Sequence, residues 1–124
     1  MKKIIIVDDD PQVVAGLKRA LHGLPVTFHE AHDGDEAIAF VREIKPALMI
    51  LDVCMPGLDG IEVCKILREE EIRDDALRPL PIIILSGLHQ EADKIVGKVV
   101  GADYYFTKPC DSAELRGLVE KLIQ

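Results

Sequence analysis

Apolar residues in this chain fall in short runs that end on polar groups. Ile4-Ile5-Ile6-Val7 runs into Asp8-Asp9-Asp10-Pro11, and Ala47-Leu48-Met49-Ile50-Leu51 stops on Asp52. Short all-apolar runs of this kind read as strands buried on both faces, as in a parallel sheet. The first strand is expected at about Lys3–Asp8. A helix follows, with Asp10 as N-cap and Pro11 in the first turn, where a missing N–H costs nothing. Val13, Val14, Leu17 and Leu21 recur on one helical face, and Gly23 and Pro25 close it.

The same alternation continues to the end of the chain. Val26–Ala31 reads as a second, weaker strand. A helix beginning at Asp33 or Asp35 carries Ala37, Ile38, Val41 and Ile44 and stops at Pro46. Strand three is Ala47–Asp52. The tight loop from Met55 to Gly60 leads to a third helix with Ile61, Val63, Cys64 and Leu67. Residues 69–79 read as a frayed helix end and a solvated loop, because charge and proline dominate there. Strand four is Pro81–Leu85, followed by Ser86-Gly87. A fourth helix holds Ile95, Val96, Val99 and Val100, and a fifth strand spans Asp103–Thr107 before Lys108-Pro109. The last helix, capped by Asp111 or Ser112, carries Leu115, Leu118, Val119 and Leu122. Strands alternating with helices imply right-handed crossovers, hence an α/β fold with a parallel sheet covered on both faces.

Composition narrows the classes without changing that picture. The chain has 124 residues, 48% hydrophobic and 30% charged, which suits one folded domain over 1–124. No apolar run approaches the roughly 20 residues needed to cross a bilayer, and the apolar stretch after Lys2-Lys3 is too short for a signal peptide. A cytoplasmic protein is expected. A net charge of −7 argues against direct contact with nucleic acid or anionic membrane. Cys54, Cys64 and Cys110 lack metal-ligand spacing and read as free thiols, with a zinc site using Cys54, Cys110 and a histidine disfavoured.

In a parallel sheet every carboxyl end lies on one edge, where ligands of open α/β sheets bind. That edge would gather Asp8, Asp9 and Asp10, then Asp52, Ser86 and Lys108. Singly, each has an ordinary role as cap, turn former or solvated charge. Together they make an acidic pocket with a cation and a hydroxyl. Two carboxylates about 4 Å apart repel by about 4 kcal/mol at an effective dielectric near 20. Against a domain stability of about 5–15 kcal/mol, that repulsion needs an offset. Protonation, Lys108 and a divalent cation are the candidates. Carboxylates plus water suit Mg²⁺, and a metal beside a lysine suits phosphoryl transfer.

The strings Val7-Asp8-Asp9-Asp10-Pro11, Leu51-Asp52-Val53-Cys54-Met55-Pro56-Gly57-Leu58-Asp59-Gly60, Leu85-Ser86-Gly87 and Phe106-Thr107-Lys108-Pro109 resemble, in order and spacing, the receiver domain of two-component response regulators. The resemblance covers essentially the whole chain. It implies the flavodoxin-like (βα)5 fold, a five-stranded parallel sheet in order 2-1-3-4-5 with helices on both faces. It implies Asp52 as phosphoacceptor, attacking a phosphohistidine of a sensor histidine kinase or histidine phosphotransfer protein. Asp8, Asp9, Asp52 and the backbone carbonyl of Cys54 would hold Mg²⁺, with Mn²⁺ as the alternative. Lys108 and Ser86 would contact the phosphoryl group, and the Lys108–Pro109 peptide would be cis. Ser86 and Tyr105 would form the switch. The surface of the fourth helix, fifth strand and fifth helix would then report phosphorylation to an output domain or protein, or pair with a second copy. Such a domain catalyses only its own phosphorylation and dephosphorylation, so it is not an enzyme in the ordinary sense.

Cys54 and Leu88 depart from the commonest family pattern. Neither side chain readily positions an attacking water, so a comparatively long-lived aspartyl phosphate is expected. Residues 69–81 also form a longer segment than in short family members. The chain closes at Gln124 after the fifth predicted helix, with no output domain. It is therefore expected either to stand alone or to be one piece of a longer protein. An FMN or nucleotide binder on this fold would want glycines and hydroxyls after strand one, where three aspartates stand. A metal-dependent phosphatase would want D-x-D-x-[TV], which neither strand supplies. A docking module that has lost phosphorylation is disfavoured because every required group is present.

Overall fold

Five parallel strands form one sheet in the order β2-β1-β3-β4-β5. They are β1 (Lys2–Val7), β2 (Val26–Ala31), β3 (Leu48–Asp52), β4 (Ile82–Ser86) and β5 (Tyr104–Thr107). The computed structural model describes residues 1–53, 59–86, 101–107 and 111–124, with Ser86 described by its backbone. The predicted fourth helix (Ile95, Val96, Val99, Val100) lies outside these residues, as do Cys54, Leu88, Lys108, Pro109 and Cys110. The described helices are α1 (Pro11–Ala20), α2 (Gly34–Ile44), α3 (Gly60–Arg73) and, fifth in the sequence-based expectation, α4 (Ser112–Leu122).

The period-two geometry of a strand divides the apolar runs between two half-cores. Ile4, Ile6, Leu48, Ile50, Ile83 and Leu85 face α1 and α4, meeting Val14, Leu17, Leu115 and Val119. Ile5, Val7, Met49, Leu51, Ile82 and Ile84 face α2 and α3, meeting Ala37, Ile38, Val63 and Leu67. This is why the strands read as unbroken apolar runs: both of their faces are interior. The order 2-1-3-4-5 and the two covered faces are those of the flavodoxin-like fold expected from the sequence.

Caps set the helix starts. Asp10, Asp33, Asp59 and Asp111 each stand at an N-cap and accept a backbone N–H from the first turn. The ambiguity between Asp33 and Asp35, and between Asp111 and Ser112, is thereby resolved in favour of the earlier residue. Lys45 closes α2 in the left-handed region, with φ of 52°.

The charged stretch after Leu67 departs from expectation. Rather than fraying at Glu69, α3 continues through Arg73. Ion pairs hold the extra turn in place. Glu70 meets Arg42 of α2, and Glu71 receives the Arg68 guanidinium at 2.8 and 2.9 Å. Arg68 also donates from Nε to the Gly101 carbonyl at 2.8 Å and from a terminal nitrogen to Asp103 Oδ2 at 2.9 Å. Asp103 in turn accepts the Ile82 N–H, and Glu71 accepts the Leu80 N–H. One arginine therefore ties α3 to the starts of both β4 and β5.

Candidate phosphoacceptor site

The sheet register puts the acidic residues side by side. Val7 of β1 pairs with Leu51 of β3, so Asp8 and Asp52, each one step further, sit together at the carboxyl edge. Both are nearly enclosed, at 2% and 5% exposure, whereas Asp9 is open to solvent. One carboxylate oxygen from each of Asp8, Asp9 and Asp52 lies within 4.8 Å of the other two. Asp10, the fourth aspartate of the sequence pattern, is used differently. Its side chain caps α1 by accepting the Gln12 N–H at 2.9 Å. Asp8 holds the turn between strand and helix, because its Oδ1 accepts the Asp10 N–H at 2.9 Å.

Helix α3 begins directly against the backbone of Asp52. A Cβ placed on Gly60 would lie 2.3 Å from the Asp52 carbonyl oxygen, so only glycine fits. The Gly60 N–H donates to the Val53 carbonyl at 3.1 Å, and Asp59 accepts the Glu62 N–H at 2.9 Å. The Asp59-Gly60 pair thus seats the start of α3 against the end of β3. Its sequence signal was the conspicuous Asp-Gly dipeptide before an apolar helix. The Arg68 junction, by contrast, had no signal, because an arginine in a charged helix end resembles any solvated charge.

On the other flank, Asp52 pairs with Leu85 of β4. Leu85 pairs with Phe106, and Ser86 with Thr107. Ser86 is therefore one register step beyond Asp52 on the same edge. Lys108 follows Thr107 in the chain, but Lys108, Pro109 and Cys54 lie outside the described residues. The three aromatic residues of β5 divide by face. Half-buried Tyr105 packs against the α2–α3 half-core, Phe106 packs against the α1–α4 half-core, and Tyr104 is 37% exposed.

Each pair of ionised carboxylates at this spacing repels by about 3 kcal/mol at an effective dielectric near 20. Three hard oxygen donors, two of them buried, fit a small divalent cation of the Mg²⁺ or Mn²⁺ kind, which takes carboxylates together with water. Cys64 of α3 is fully buried and its thiol is pushed up to about 11, chiefly by burial. It is inert structural filling rather than a nucleophile.

Comparison with known proteins agrees with this geometry. The sequence pattern of the response regulator receiver domain matches residues 4–120. The alkaline phosphatase synthesis transcriptional regulatory protein PhoP of Bacillus subtilis (strain 168) is 38% identical over 99% of this chain, which covers 49% of that protein. Response regulator MprA of Mycobacterium ulcerans (strain Agy99) is 38% identical over 98% of the chain, covering 50% of the relative. This chain thus spans about half the length of the curated relatives it matches. The receiver domain of Francisella response regulator 1452 superposes with a TM-score of 0.85 at 34% identity, covering 98% of this chain and 96% of that one.

Proposed function

The chain belongs to the response regulator receiver family, and on that premise we propose that it takes up a phosphoryl group on Asp52 and relays the event as a change of surface. The supporting observation is the meeting of Asp8, Asp9 and Asp52 within 4.8 Å at the carboxyl edge of the sheet. An oxygen of the Asp52 carboxylate attacks the phosphorus of a phosphohistidine on a sensor histidine kinase or histidine phosphotransfer protein. The P–N bond breaks as the new P–O bond forms, and the released imidazole takes up a proton from solvent.

Asp8, Asp9, Asp52 and the Cys54 carbonyl hold Mg²⁺ or Mn²⁺ in this reading. Bound there, the cation neutralises charge on the phosphoryl oxygens. Asp8 and Asp9 orient the site and balance that cation, and the buried floor of Val7, Leu51 and Leu85 limits water around Asp52. Lys108 pairs with a phosphoryl oxygen, its bond to Pro109 being cis, and Ser86 donates to another. A phosphoryl group adds about −1.5 to −2 charges and three acceptors, so donors are drawn toward it. Movement at Ser86 vacates room that the half-buried Tyr105 ring turns to fill. The surface of the fourth predicted helix, β5 and α4 carries the change to an output domain or protein, or to a second copy.

Residues 1–124 act as one receiver domain in this reading, cytoplasmic and without turnover of a released substrate. Among the described residues no helix is long and apolar enough to cross a membrane. PhoP is by name a transcriptional regulatory protein, and this acidic segment matches about half of it. We therefore assign phosphoryl acceptance to these residues and nucleic-acid contact to none of them.

The test is incubation with acetyl phosphate and Mg²⁺ followed by intact-mass measurement. The expected outcome is one added phosphoryl group, lost in Asp52→Ala and suppressed by chelator. Labelling of Asp52→Ala at the normal rate overturns the assignment. Slow decay after donor removal is expected as well, with Cys54→Asn and Leu88→Glu each accelerating it. Unchanged decay in both variants removes the idea of a long-lived phosphate.

A further inference from the structure

At the opposite edge of the sheet from Asp52 lies a cavity of about 450 Å³ that the phosphoacceptor reading does not use. It sits at the amino ends of the strands, against Lys2 at the start of β1, Ala47 before β3 and Pro81 before β4. One wall is built by the 76–81 stretch of the long segment that the sequence singles out. Its volume falls in the range of small-molecule sites, roughly 300–1,000 Å³.

The lining has two characters. Leu67, Leu77, Leu122 and Val41 supply an apolar floor and walls. Lys2, Lys45 and Arg78 supply three exposed cations, and none of them has an ion-pair partner among the described residues. Glu70 and Glu71 also line the cavity, but both are engaged internally. Arg42 offsets Glu70, while Glu71 accepts the Leu80 N–H and shares the Arg68 guanidinium with Asp103, which leaves one negative charge against the three cations. The net local charge left for a ligand is therefore positive, on a domain whose overall charge is −7.

The cavity is also held in shape. Pro46, Pro79 and Pro81 stiffen its lining and donate no hydrogen bonds that would fill it with water. The ion pairs of Glu70 and Glu71 fix α3 against α2 and against the β4 start. Pre-formed walls spare a ligand the ordering cost that flexible loops impose.

We propose that this cavity binds a small organic anion with an apolar body, such as an aromatic carboxylate or sulfonate. The apolar part lies against Leu67, Leu77 and Leu122, and the anionic head meets Lys2, Lys45 and Arg78. This site is independent of phosphorylation at Asp52.

The probe is 8-anilinonaphthalene-1-sulfonate, followed by its fluorescence with the full chain, beside the uncharged N-phenyl-1-naphthylamine. Saturable binding of one sulfonate per chain is expected, with the uncharged analogue weaker by about fivefold or more. Ala76→Trp, which fills the cavity from a surface turn, and the double variant Lys45→Glu/Arg78→Glu are each expected to weaken the sulfonate by about tenfold. Far-UV circular dichroism and acetyl phosphate labelling stay unchanged in both variants, which separates this site from the one at Asp52. Sulfonate binding that survives both changes overturns the proposal. So does equal affinity for the uncharged analogue, or no saturable binding in the parent chain.

Discussion

Cys64 and Gly60 show how single positions shape the fold without touching a substrate. The Cys64 thiol is raised to about 11 because burial disfavours the thiolate. In the unfolded chain the same thiol ionises near pH 8.5. The folded state therefore keeps its full advantage below that value and loses it as pH climbs from about 9 to 11, where only the unfolded chain sheds its proton. A loss of about 3 kcal/mol in urea stability over that window is expected, and it should be absent in Cys64→Ala. Peptide mapping after native alkylation at pH 8 should find Cys64 unmodified. Gly60 is constrained by space instead. Gly60→Ala forces a carbon to within 2.3 Å of the Asp52 carbonyl, so either the helix or the strand must yield. A cost of about 1–3 kcal/mol and slower phosphorylation by acetyl phosphate are expected together. A variant with parental stability and parental labelling would show that the contact relaxes freely.

Strands and helices differ in how much of them could be read from the sequence. The apolar runs at Ile4–Val7 and Leu48–Leu51 announced buried strands because nothing polar interrupts them, and the register then brought Asp8 beside Asp52. Val26–Ala31 was harder to see, since an edge strand carries His29 and Glu30 on partly exposed positions. Helix α3 is longer than the sequence implies, because propensity cannot see that Glu70 and Glu71 have partners outside the helix. The faces of Tyr104, Tyr105 and Phe106 needed the sheet to decide them. The Arg68 junction, invisible beforehand, yields the sharpest expectation at this scale. Arg68→Met leaves the Asp103 and Glu71 carboxylates and the Gly101 carbonyl without their shared donor. A stability loss of about 2–4 kcal/mol is expected by urea titration, larger than for Arg42→Met on the exposed α2–α3 pair. Equal losses for the two would mean that the junction behaves as a surface contact.

For the molecule as a whole, three carboxylates gathered at one edge oppose folding until something compensates them. Thermal unfolding in metal-free buffer should therefore reveal a domain that gains stability from Mg²⁺, by about 2.7 kcal/mol at a hundredfold excess over the dissociation constant. Asp9→Asn removes one charge from the cluster without emptying the core, since Asp9 is exposed. It is expected to be more stable than the parent without metal, by about 1 kcal/mol, and to respond little to added Mg²⁺. A parent chain whose melting temperature ignores Mg²⁺ would contradict the assignment of that cluster.

The order of the sheet also has a consequence for how the chain is made. Of the five strands, β1 leaves the ribosome first, yet it lies between β2 and β3 and has neighbours on both sides only after residue 52 is out. From then on the sheet grows outward in one direction only, β4 onto β3 and β5 onto β4. Nascent chains halted before β3 is exposed should remain open to protease, and resistance should rise sharply once the 48–52 strand can reach its place. A resistance that appears with β2 alone would show that the first strand-helix-strand unit needs no third strand to hold it.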